Sequence, residues 1–241
     1  ITIGNWRPAN FNRKFQGPVS LADALAQSIN TVAVKVGEMA GRGKVIAAAR
    51  RLGLSGDFKA HPSLSLGVGE VRLLDLTTAY ATFANGGRSV WSHGIEEISN
   101  LKGQILYRRN SSGPRMIVDT VHVAAINSML SSAVSSGTGQ LANIGRPQAG
   151  KTGTSQNFRD AWFIGYTADF VGGIWMGNDD AMPMKRVTGG GLPAQLWRDV
   201  MVLAHNGRPP RALPGLGTEA LDPRNQGAGF WKSLVGIITG G

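Results

Sequence analysis

The chain has 241 residues, 42% of them hydrophobic and 17% charged, which suits one large domain, or a domain plus a tail, with a substantial buried core. It has no cysteine, which excludes disulfides, thiolate metal sites and a cysteine nucleophile. The formal net charge of +10 is spread over isolated pairs such as Arg50-Arg51, Arg108-Arg109 and Lys185-Arg186, without aromatic interleaving, so it reads as solubilising charge and not as a nucleic-acid surface.

In chain order, residues 1–18 are irregular, with Pro8 and Gly17-Pro18 marking loop. Their opening, Ile1-Thr2-Ile3-Gly4, resembles the middle of a domain. No apolar stretch approaches the ~20 residues that span a bilayer, so any membrane anchor is expected outside this sequence. Ser20 and Asp23 predict a capped helix start, with Leu21, Ala24 and Leu25 on its apolar stripe. Helical spacing recurs from Thr31 to Met39 and from Lys44 to Leu52, the latter closed by Gly53. Leu73 to Phe83 is a further helix ended by Asn85-Gly86-Gly87. Ile95–Leu101 and Gln104–Tyr107 predict a hairpin around Lys102-Gly103. A helix over Val118–Leu130 precedes a loop of small residues, Ser131 to Gly139. Three strands follow, at Gln148–Ser155, Ala161–Tyr166 and Phe170–Gly177, the last two antiparallel across a short turn. Leu192 to Ala204 is a closing helix with Pro193 in its first turn. Helices before and after an antiparallel sheet make an α+β, or mixed α/β, layered domain over residues 1–205. The Pro/Gly-rich residues 206–241 read as a C-terminal tail.

Chemistry concentrates in Lys151-Thr152-Gly153-Thr154. An ammonium on a strand supplies a fixed positive potential for a substrate carboxylate. Thr152 and Thr154, two residues apart, present their hydroxyls on one face. Gly153 leaves room for another backbone, and an extended peptide can add to such a strand. Alone, such a triplet is weak evidence. Ser28-Ile29-Asn30 adds a Ser-x-Asn element in which Ser28 can relay a proton and Asn30 can bind a substrate amide. By itself Asn30 reads more readily as the cap of the helix from Thr31.

The surrounding blocks are specific. Trp6-Arg7-Pro8-Ala9-Asn10, Gly17-Pro18-Val19-Ser20-Leu21, Leu66-Gly67-Val68-Gly69-Glu70, Phe83-Ala84-Asn85-Gly86-Gly87 and Ser136-Gly137-Thr138-Gly139 lead to Gly150-Lys151-Thr152-Gly153-Thr154. Asp160-Ala161-Trp162-Phe163-Ile164-Gly165-Tyr166, Gly177-Asn178-Asp179-Asp180 and Gly189-Gly190-Gly191-Leu192-Pro193-Ala194 with Trp197 follow. Over residues 3 to 205 the sequence resembles the transpeptidase domain of class A, bifunctional penicillin-binding proteins.

That resemblance implies the penicillin-binding/serine β-lactamase-like fold and a D,D-transpeptidase that cross-links peptidoglycan stem peptides through an acyl-enzyme. It implies catalytic roles for Ser28, Lys151 and Thr154, and substrate binding by Asn30, Thr152, Gly153 and Thr154, with the Thr154 N–H in the oxyanion hole. No metal or other cofactor is implied. The partners expected are stem peptides, β-lactams and cell-wall synthesis proteins, on the extracytoplasmic face of a bacterial inner membrane, with no nucleic acid. The family's nucleophile belongs to an S-x-x-K motif well before Ser-x-Asn. The sole S-x-x-K match here, Ser99 to Lys102, follows it and sits on the expected hairpin, where a lysine cannot serve a serine from the next helical turn. The expectation is therefore an N-terminally truncated part of the enzyme, inactive by itself. Alternatives are a non-catalytic scaffold module, or a β-lactam-hydrolysing or -sensing relative. His61, His93, His122 and His205 show no metal spacing.

Overall fold

The computed structural model describes residues 1–110 and 113–217. Three short helices open the fold: α1 (Leu21–Ala26), α2 (Asn30–Ala40) and α3 (Arg42–Arg51). The Ser20 hydroxyl accepts from Asp23 N–H at 3.1 Å and donates to the Asp23 carboxylate at 2.6 Å, so the first helix starts on its expected capping box. After α4 (Leu73–Ala84), β1 (Glu97–Ser99) and β2 (Ile105–Arg108) form the expected antiparallel hairpin. Helix α5 (Thr120–Ser135) precedes the central sheet of β3 (Ala149–Thr154), β4 (Asp160–Tyr166) and β5 (Val171–Gly177). Helix α6 (Leu192–Ala204) closes the described elements.

The sheet is antiparallel in the order β3-β4-β5, with Lys151 opposite Ile164 and Gly153 opposite Trp162. β3 is thus an edge strand among the described residues. One face takes α6, whose Trp197 fits over Gly165 and Gly172 and meets Phe163 edge-on at 5.4 Å. Burying these two aromatic rings together with Val134, Ala142, Ala194 and Met201 forms one core. The other face takes α4 and α5 around Tyr166, Ala149 and Leu130. This is the layered α+β arrangement expected from the order of elements.

Two expectations change. Helix α5 runs on through Ser135, over residues that read as loop. Ala133 and Val134 are buried there, and the Ser131 hydroxyl donates to the Gln148 carbonyl at 2.9 Å. Tertiary contacts override the weak helical preference of serine. Nor do residues 206–217 form a tail. Leu213 is 2% exposed in the second core, the Asn127 side chain donates to the Pro214 carbonyl at 2.8 Å, and Arg211 pairs with Asp169. The remainder of the expected tail lies outside the described residues.

Candidate active site

The site begins where α1 ends. Ser28 N–H donates to the Leu25 carbonyl at 3.1 Å and Ile29 N–H to the Ala24 carbonyl at 2.8 Å, the paired bonds of a Schellman termination. The position between them calls for a left-handed residue, normally glycine. Here it is Ser28, at φ 55°, a conformation that costs a side-chain-bearing residue about 1–2 kcal/mol. A strained backbone is thus accepted in order to place a hydroxyl.

That hydroxyl meets Lys151. Its ammonium donates to Ser28 Oγ at 2.8 Å and to the Thr152 carbonyl at 3.1 Å, joining residues 123 positions apart. Burial lowers the Lys151 pKa from 10.5 to about 8, because the charged form loses solvent. Two hydrogen bonds are insufficient to offset that loss. Near neutrality the lysine is a proton donor whose proton is easily removed. While Lys151 donates to Ser28 Oγ, the Ser28 proton is free to point elsewhere, so the pair can relay a proton.

Side chains alternate along β3, so Lys151 and Gly153 share one face while Thr152 and Thr154 share the other. Thr152 Oγ1 lies 2.7 Å from Thr138 Oγ1. Thr154 Oγ1 accepts from Gly189 N–H at 3.1 Å, which leaves its own O–H available to donate. A Cβ at Gly189 would collide with the carbonyl oxygens of Trp162 and Gly153. The backbone seen pressing on the Gly153–Trp162 pair is therefore the chain's own Gly189 loop.

Asn30 opens α2 as its first residue, and its side chain donates to the Ala9 carbonyl at 2.9 Å. The side-chain cap of that helix comes from elsewhere: Asn10 Oδ1 accepts from both the N–H and the hydroxyl of Thr31, each at 3.1 Å. The N-terminal segment is thereby fixed beside the Ser-x-Asn element. Ser28 and Lys151 meet directly, while Thr152 and Thr154 are each tied to a neighbouring loop.

Thr138 and Asn10 went unassigned in sequence. Thr138 stood in a small-residue block with a recognisable pattern but no evident chemistry, and Asn10 acts across a separation that no local pattern reveals. Ser99 lies on β1 and Lys102 in the following turn, far from helical geometry. Among the described residues no group of three or more His, Asp and Glu side chains is placed to hold a metal ion. His205 is buried. Its Nδ1–H donates to the Met201 carbonyl at 2.7 Å, leaving Nε2 to accept from the Thr167 hydroxyl at 2.9 Å.

A serine and a largely desolvated lysine joined at the edge of a helix-covered antiparallel sheet define a class of site suited to proton relay beside a strand that carries two threonine hydroxyls. Residues 1–201 match the family described as penicillin binding protein transpeptidase domain, and the chain belongs to that family. It is 32% identical over 229 residues to penicillin-binding protein 1A of Rickettsia conorii, covering 85% of this chain and 29% of that protein. It is 35% identical over 199 residues to penicillin-binding protein 1A of Aquifex aeolicus, covering 82% and 27%. The chain thus spans less than a third of the length of these curated relatives. Its fold matches the PonA1 protein from Mycobacterium tuberculosis, solved in complex with penicillin V, at a TM-score of 0.81 and 23% identity, covering 89% of this chain and 64% of that one.

Proposed function

We propose that this chain forms the substrate-holding wall of a serine D,D-transpeptidase that cross-links peptidoglycan stem peptides and is acylated by β-lactams. The observation that carries the reading is the 2.8 Å contact between Lys151 and Ser28, beside two threonine hydroxyls on an edge strand. In the reaction a serine hydroxyl attacks the penultimate D-Ala carbonyl. An ester forms, and the terminal D-Ala leaves with the transferred proton. An amine of a second stem peptide then attacks the ester, an amide forms, and the serine regains its proton.

Ser28 carries protons between the leaving or attacking nitrogen and the lysine side chains. Lys151 supplies the potential and the acidic proton. Thr152 and Thr154 donate to the substrate carboxylate, Asn30 holds a substrate amide, and the Thr154 N–H contributes to the oxyanion hole. Gly153 keeps the strand slim enough for the Gly189 loop to brace it. The nucleophile and its base come from an S-x-x-K segment outside residues 1–241. We place the whole enzyme on the extracytoplasmic face of the membrane, anchored by a segment that is also outside these residues.

The test is labelling by a fluorescent penicillin, followed by intact mass. The full-length protein is expected to take one acyl adduct, and residues 1–241 alone none. A full-length protein that stays unlabelled defeats the transpeptidase reading. A stoichiometric adduct on residues 1–241 places the nucleophile within them, with Ser99 the first position to map.

A further inference from the structure

The proposed mechanism leaves Thr138 without a role, yet it contacts three parts of the site. Its hydroxyl lies 2.7 Å from that of Thr152. Its N–H donates at 3.0 Å to the Ala26 carbonyl in α1, two residues before Ser28. Its own carbonyl faces Gly190, where any Cβ would collide with it. The loop cannot shift freely. Gly137 is pressed onto the Ala26 carbonyl and the Ala133 backbone, and Gln27 Nε2 donates to the Ser136 carbonyl at 3.3 Å.

A hydroxyl has one proton to give. If Thr152 is to donate to a carboxylate, it must be the acceptor in its contact with Thr138, which makes Thr138 the donor. A hydroxyl that already accepts a hydrogen bond is polarised and becomes the stronger donor in turn. Thr154 is prepared in the same way by Gly189 N–H. In this arrangement the two strand hydroxyls each accept a hydrogen bond from a neighbouring loop and keep their own proton for the substrate.

Resting on the transpeptidase reading, we propose that Thr138 is a positioning residue for carboxylate recognition: its hydroxyl sets the direction in which Thr152 donates. It acts through Thr152 and leaves the proton relay of Ser28 and Lys151 alone.

The experiment compares acylation rates of the full-length protein by benzylpenicillin and by its methyl ester, which lacks the carboxylate charge. Thr138→Val is expected to slow the free acid about tenfold or more, the effect of one lost hydrogen bond relayed to a charged group, and the ester less than about twofold. Thr138→Ser is expected to restore the wild-type ratio. In a Thr152→Val background, Thr138→Val should leave the ratio of acid to ester unchanged. Equal slowing of acid and ester would show a merely structural loop residue, and no slowing of either would show a bystander; both overturn the proposal. A wild-type protein that reacts with neither compound would instead defeat the transpeptidase reading, and this inference with it.

Discussion

The two ends of the central sheet handle buried polar groups differently. At the end near the β4–β5 turn, the central buried side chains bond one another or the backbone, with Arg146 Nη1 the exception. The Tyr166 hydroxyl donates to Asn127 Oδ1 at 2.7 Å, and the Asn127 amide donates to the carbonyls of Phe83 and Pro214. Nearby, His205 is held between the Met201 carbonyl and the Thr167 hydroxyl. Such a network fixes one packing and has nothing left to offer a ligand. At the Lys151 end, the ammonium is largely desolvated with two acceptors, Ser28 is strained, and the Thr154 hydroxyl keeps a proton to donate. Unused hydrogen-bonding capacity is gathered at the Lys151 end. The satisfied end supplies the rigidity that makes partial satisfaction tolerable.

This contrast can be broken from either side. The largest effect is expected from Lys151→Met in the full-length protein, which should lower the penicillin acylation rate by about 10² or more as the buried cation is removed from the site. At the satisfied end, Asn127→Ala should leave the Tyr166 hydroxyl and the Pro214 carbonyl unpaired, at roughly 2–4 kcal/mol of stability, read as a fall in Tm. Acylation at a temperature where the variant is folded should change little.

The pH dependence of stability sharpens the same contrast. In the unfolded chain Lys151 keeps its proton up to about pH 10.5, whereas in the fold burial releases it near pH 8. Between those values the unfolded state binds more protons, so stability rises with pH. Relative to Lys151→Met, the wild-type protein should gain on the order of 3 kcal/mol at most across that range. Comparative melting from pH 7 to 9.5 checks this. Above that range Tyr80, pushed up to about 12 by burial, begins to act in the opposite direction. A flat difference between the two proteins would mean that Lys151 is as well solvated as any surface lysine.

The smallest effect on stability concerns Ser28. Ser28→Gly should raise stability by about 1 kcal/mol by relieving the left-handed strain, while Ser28→Ala, which removes the hydroxyl but keeps the Cβ, should not. Both should lose the proton relay. Equal melting temperatures for the two variants would remove the strain argument.

Legibility in the sequence followed interaction range. Helix α6 spans the expected Leu192–Ala204, because Pro193 and an apolar stripe containing Trp197 are local signals. The strand at Lys151 and the helix cap at Ser20 were equally plain. The continuation of α5 was hidden, since three of its last five residues are serines and only the pairing of Ser131 with Gln148 and the burial of Val134 keep them helical. The packing of residues 206–217 was hidden for the same reason: a Pro/Gly-rich segment announces no partner, and Asn127 supplies one. Within the site, the residue types of Ser28, Asn30 and Lys151 were visible. That Thr138 would lie against Thr152, or Asn10 cap α2, depends on contacts formed between distant segments.

The bond between Ser28 and Lys151 also has a consequence for biogenesis. Its two ends are separated by 123 residues, about half of the chain. Closing so long a loop is entropically costly until intervening helices and strands have assembled. During synthesis Ser28 emerges well before β3, so a chain not yet made as far as β3 cannot present the pair. The Ser28–Lys151 contact is therefore a product of tertiary assembly and not of local structure.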